Sequence, residues 1–360
     1  MNKETRYINI YRGFAIICMV ITRMVFVDYR ITNVLNAFWL CMLFMAEGAE
    51  LAHISKGNSG KMQISIKDMA VKFMVPYAAF SLVALFAYSV SILMKKQEYT
   101  TRTLKAMVVD VVTLYGHSVL WILSAFFVAF VIYAFIRKSW KPVVALLGSG
   151  VLMSAYLLCG NIFDYMNPYN TIFISIVLRI FALLWRSVFG VLFISLGEVV
   201  TDIVIKGGSR KRNIRVPLAF VLIIIGCIVA FYNNGVNIEY LRMGNPAMFY
   251  GSAIMISVGF LFIAEWIGIF RILEFVGING LIVLVTYIDF RIMYVGTLIN
   301  SGVLAKANNR FVAHACQCIA IIVLEVALIF LFAKVLPFMM GRESSNPFGL
   351  WKQDESDEVE

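Results

Sequence analysis

The chain is 360 residues long, 61% hydrophobic and only 14% charged, with a formal net charge of +10 and a mean hydropathy of +0.85. A soluble domain carries about 25% charged residues and about half apolar ones, so this composition excludes an ordinary water-soluble core and requires lipid to solvate much of the surface. The basic residues gather in loops beside apolar runs, so the positive balance reads as membrane topology and not as a nucleic-acid footprint.

In chain order, runs of roughly 20 apolar residues predict spans at 7–27, 32–52, 70–94, 118–137, 141–160, 183–205, 216–233, 246–268, 277–298 and 312–337. The fold class is therefore an all-α polytopic membrane protein of about ten transmembrane helices, forming one domain over 1–340. Segments 104–115 and 170–182 read as shorter interfacial or re-entrant helices, and the continuous runs exclude the alternation of a β-barrel. The first run lacks a small-residue cleavage site and is expected to remain as an anchored helix. The last residues, 341–360, end in "QDESDEVE" and read as an acidic, disordered, solvated tail.

Lys3 and Arg6 flank the first run, and alternate loops carry Lys56, Lys61 and Lys67, then Arg137, Lys138 and Lys141, then Lys206 through Arg215. The intervening loops "CGNIFDYMNPYN" and "NNGVNIEYLRMGNP" hold almost no positive charge, with "MKKQEYTTRTLK" as an exception. This alternation places both termini in the cytoplasm. The six cysteines lie almost all inside spans and read as apolar fillers. With His53, His117 and His314 as the only histidines, no multi-histidine metal site is expected.

The first span, "YINIYRGFAIICMVITRM", carries Arg12 and Arg23. Eleven residues is close to three helical turns, so both arginines share one face with Asn9, Ile16 and Met19. Charged groups in a span avoid lipid, so this face should look into the bundle. Helix direction brings Glu47 and Glu50 of the second span to the depth of Arg12, and Asp289 of the ninth to that of Arg23. Arg12–Glu47 and Arg23–Asp289 are the ion pairs this reading expects. The bland alternatives are that Arg12 snorkels to the inner interface and Arg23 to the outer one, toward Asp28.

That first stretch resembles the opening helix of the family 3 membrane acyltransferases, which has an Asp-x-x-Arg-Gly element followed by an apolar run ending in histidine. "FWLCMLFMAEGAELA", "KFMVPYAAFSLV", "GHSVLWILSAFFV", "WRSVFGVLFISLG" and "FVGINGLIVLVTY" resemble later segments of that family in order and spacing. The resemblance covers residue 6 to about 335. It implies an integral protein of the bacterial cytoplasmic membrane that moves an acyl group, usually acetyl, from cytoplasmic acyl-CoA to a hydroxyl of a surface or exported glycan. Its partners would be membrane lipid and that acceptor, with no metal. Such chemistry needs a base for the hydroxyl and cations for the phosphates and the developing oxyanion.

Residue by residue, the resemblance implies donor contacts from Arg12, Lys67 and Lys72. The family's histidine falls on Arg23, its aspartate on Asn9, its second-helix serine on Glu47, and a late histidine on Tyr287. An arginine cannot act as a base, so catalysis would need His117, Glu47 or Tyr287 instead. The other reading is a degenerate relative that binds a glycan, lipid or protein; a transporter is less favoured because no inverted repeat is visible. Trp121, Arg186 and Asn279 complete the candidates, as interfacial, polar or hydrogen-bonding residues.

Overall fold

The computed structural model describes residues 5–24, 27–57, 65–95, 99–166, 171–207, 212–289, 292–307 and 309–341. Almost all of them are helical: α1 (Arg6–Thr22), α2 (Tyr29–Gly57), α3 (Ile66–Lys95), α4 (Tyr99–Val112), α5 (Trp121–Arg137), α6 (Pro142–Cys159), α7 (Ile172–Gly207), α8 (Arg212–Tyr232), α9 (Pro246–Ile267), α10 (Arg271–Ile278), α11 (Gly280–Asp289), α12 (Ile292–Ala307) and α13 (Arg310–Phe330). The described sheet is a two-residue antiparallel pair, Val236–Asn237 with Arg242–Met243, in the loop between α8 and α9. The acidic tail, apart from Gly341, lies outside the described residues.

Eight of these helices are long and apolar enough to cross a membrane, or nine if the bent pair of α11 and α12 is one span. The chain is thus an all-α integral membrane protein. The predicted first span is shorter than expected: α1 stops at Thr22, so Arg23 caps it instead of lying within it. The predicted span at 277–298 is divided. Asn279 ends α10, its amide turning back onto the Phe275 carbonyl at 3.0 Å, and the axes of Gly280–Tyr287 and Ile292–Lys306 are inclined by 64°.

The segment 170–182 is no separate helix but the start of the 36-residue α7. At about 1.5 Å per residue this helix outruns a hydrocarbon core of about 30 Å. It survives two internal arginines because both are satisfied. Arg179 pairs with Asp110 of α4 at 2.5 Å, and Arg186 is enclosed by carbonyls and rings, as described below.

α1 packs against α2, α9 and α10, and its approach to α10 is backbone to backbone. A Cβ at Gly277 would lie 1.8 Å from the Asn9 carbonyl oxygen, and one at Gly13 would lie 2.1 Å from that of Leu273. Glycine at both positions is what lets the two helices touch. A buried ion pair fixes their register: Arg6 Nε and Nη2 donate to the two carboxylate oxygens of Glu274 at 3.0 and 3.1 Å. The core is mostly aliphatic but contains a chain of ring contacts running Phe44–Phe126–Phe73–Phe130.

The helix directions gather Lys56, Lys67, Arg137, Lys138, Lys141, Lys206 and Arg215 at the end of the bundle where α1 begins, called here the Arg6 end. The loops containing Tyr115 and Glu239 lie at the opposite, Arg23 end.

Candidate functional site

The polar face of α1 lines two cavities. Asn9, Arg12 and Ile16 line one that opens toward the Arg6 end, with a volume of about 480 Å³. Met19 and Arg23 line another of about 280 Å³ at the Arg23 end. The five residues assigned to one face by helical spacing are therefore divided between the two cavities in chain order.

The cavity at the Arg6 end is built around four charges. Arg12 Nη2 donates to Glu47 Oε1 at 2.9 Å and to Glu50 Oε2 at 2.5 Å, and its Nη1 donates to Asn9 Oδ1 at 3.3 Å. Lys72 Nζ donates to Glu47 Oε2 at 2.7 Å, so Glu47 is bridged by two cations. Asp68 also lines the wall, and Arg12 Nε is buried without a partner among the described residues. Glu47 and Glu50 project together because three residues is nearly one turn of α2. Two cations thus face three carboxylates, and of the two acids on Arg12, Glu50 is the more exposed at 42%.

The two cavities are separated by one turn on each of three helices. Ile16, Leu43 and Phe126 line the first, and Met19, Trp39 and Ile122 line the second. These six side chains form an apolar septum across α1, α2 and α5. Beyond it, the second cavity is more polar, with Arg23, Asn36, Trp121, Ser118, Asn237 and Glu239 around it.

Arg186 holds that far wall together. Its Nε and Nη2 donate to the Glu239 carbonyl at 3.1 and 2.7 Å, and Nη1 donates to the Tyr115 carbonyl at 3.0 Å. The guanidinium stacks 4.5 Å from the ring centres of Tyr115 and Trp121 and 4.9 Å from that of Phe163. It is 2% exposed, and it makes no salt bridge with a carboxylate among the described residues. Carbonyl dipoles and π faces surround it instead, locking the loop before α5 and the loop before α9 to one point of α7. Outside the spans, Glu239 and burial both raise the Tyr240 phenol above its usual range, Glu239 being the larger cause.

The sequence-derived candidates are placed as follows. Arg12, Glu47, Lys72 and Asn9 come together around the first cavity, and the expected Arg12–Glu47 pair forms. Lys67 is exposed and does not line the cavity; its neighbour Asp68 does. Arg23 is exposed and lines the second cavity, while the side chain of its expected partner Asp289 lies outside the described residues. Arg23 makes no ion pair with Asp28 among the described residues; Asp28 instead accepts from the Arg30 amide at 2.7 Å. Tyr287 is fully buried and donates to the Val20 carbonyl at 3.2 Å, so it faces neither cavity as a base would. His117 is exposed at the start of the turn that delivers Ser118 and Trp121 to the second cavity.

Glu239, the acidic residue lining the second cavity among the described residues, was not singled out from the sequence. Nor was Glu325 of α13, a buried acid hydrogen-bonded to Thr286 at 2.9 Å. The signal for Glu325 was available, since an acid within an apolar run is rarely incidental. Comparison with protein-family models, with curated proteins and with solved structures finds no match to this chain.

Proposed function

We propose that the protein transfers an acyl group from acyl-CoA, acetyl-CoA being the simplest donor, to a hydroxyl of a glycan acceptor. The donor would enter at the Arg6 end, where the basic loops gather and which this reading takes as the cytoplasmic side. The observation that carries this reading is the pair of cavities opening to opposite ends and separated by one turn of α1, α2 and α5. Such an arrangement suits two substrates that arrive from opposite sides of a membrane. The resemblance of the α1 sequence to family 3 acyltransferases points the same way.

In the reaction the acceptor oxygen bonds to the acyl carbon, the thioester C–S bond breaks, and the hydroxyl proton passes through a base to the leaving thiolate. Arg23 cannot be that base. Glu239, which lines the second cavity and whose main chain is clamped by Arg186, would take the proton, and Arg23 would stabilise the oxyanion. Trp39, Trp121, Asn36 and Asn237 supply ring faces and amides of the kind that bind sugars.

A second reading, a saccharide-binding protein without transfer, is favoured by the carboxylates already on Arg12 and Lys72. Release of CoA thiol from acetyl-CoA by purified protein, with and without oligosaccharide acceptors, tests both. Acceptor-dependent release that falls by about 10²–10⁴ in Glu239→Gln supports transfer. Saccharide binding without any release supports the second reading.

A further inference from the structure

A third cavity, of about 480 Å³, lies away from both of these, on the outer surface of α5, α6 and α7. Ala145, Ser149 and Val191 form its buried floor, and Phe135, Trp140 and Leu152 its exposed rim. Gly148 leaves it open: a Cβ there would meet nothing within 4 Å. The Ser149 hydroxyl is turned onto its own helix, donating to the Ala145 carbonyl at 2.7 Å, so the floor is effectively apolar.

The mouth is at the Arg6 end and is cationic. Lys138 sits with Nζ 4.9 Å from the ring centre of Phe135, a rim residue. Lys141 follows Trp140 directly, and both lysines are exposed with no carboxylate partner among the described residues. The nearby Arg137 is otherwise engaged. It donates to Glu198 Oε1 at 2.8 Å and to the Trp140 carbonyl at 2.7 Å, which fixes the α5–α6 turn. An interfacial tryptophan marks the depth at which phospholipid headgroups lie.

We infer that this groove is a site for an anionic phospholipid of the bilayer, with one acyl chain along Gly148 and Ser149 and its phosphate between Lys138 and Lys141. Lipid tails are as apolar as the groove, so the apolar contact alone does not select one lipid over another. Selection comes from the headgroup. Each lysine near a charged headgroup is worth about fivefold in binding, the equivalent of about 1 kcal/mol.

The test is competition between phosphatidylglycerol and phosphatidylcholine of matched chains for the detergent-purified protein, with retained lipid counted by native mass spectrometry. The native protein should retain phosphatidylglycerol roughly tenfold or more in excess. Lys138→Ala/Lys141→Ala should abolish that preference, Gly148→Phe should lower retention of both lipids, and Lys206→Ala should change neither. Equal retention by the native protein overturns the site. So does a preference that persists in the double lysine variant, or phosphatidylglycerol retention that is undiminished in Gly148→Phe, which would indicate only diffuse attraction to a basic surface.

Discussion

Glu47→Gln tests the charge cluster of the first cavity. The substitution keeps shape and one acceptor oxygen but removes the charge that Arg12 contacts at 2.9 Å and Lys72 at 2.7 Å. Removing one partner of a buried pair costs about 3–5 kcal/mol, because the other charge stays buried. Here the loss is moderated, since Glu50 still holds Arg12 at 2.5 Å and lies 3.8 Å from Lys72. The expected cost is therefore at the low end, about 3 kcal/mol. Lys72→Met, removing the more exposed cation, should cost about 1 kcal/mol, the upper end for a partly solvated pair. Thermal unfolding in detergent, followed by a maleimide dye on the free cysteines such as buried Cys41, measures all of these. The combined Arg12→Gln/Glu47→Gln protein should be destabilised by about 2 kcal/mol less than the sum of its single variants. Additivity to within about 0.5 kcal/mol would refute the pairing and show that Arg12 is solvated independently.

Other outcomes follow from the same geometry. Gly277→Ala should destabilise by about 1–3 kcal/mol through overpacking, whereas Gly251→Ala, where a Cβ meets nothing within 4 Å, should be neutral or gain up to about 1 kcal/mol of helix propensity. Paired melting curves check both. Arg186→Lys cannot reproduce the fork to two carbonyls and should expose the 233–245 loop to limited proteolysis while α7 stays intact. Arg23→Ala should shift stability by no more than about 0.5 kcal/mol, as expected for an exposed cap, yet weaken saccharide binding measured by calorimetry. Reporters inserted after Lys206 and after Asn234 should lie on opposite sides of the membrane, and the same side for both would break the helix assignment.

How legible this was in the sequence differs from element to element. The face Asn9–Arg12–Ile16–Met19–Arg23 was readable because helical period is a local property, and it does line the two cavities. Glu47 was readable as a partner of Arg12, and Glu50 as lying at the same depth, because hairpin direction fixes their depth; that Glu50 also pairs with Arg12 was not. The continuity of α7 through Arg179 was not, because the helix depends on Asp110, which lies 69 positions away. Nor was the role of Arg186, whose partners are main-chain carbonyls that no side-chain pattern announces. Glu239 sits in a polar loop where an acid attracts no notice, and only the fold turns it into the second cavity. The division of the span at 277–298 escaped hydropathy because the 64° bend falls between Tyr287 and Ile292, where the polar residues of the sequence "YIDFRI" are too few to mark an end in an apolar average.

The central claim is that donor and acceptor meet from opposite ends of the bundle. Proteoliposomes with the protein oriented through an added affinity tag, acetyl-CoA on the Arg6 side and an oligosaccharide on the Arg23 side test it most directly. The account predicts acetylated saccharide on the Arg23 side and free CoA on the Arg6 side in equal amounts, with both lost in Glu239→Gln. No acetylated product with any oligosaccharide, from protein whose melting curve shows it folded, would contradict it.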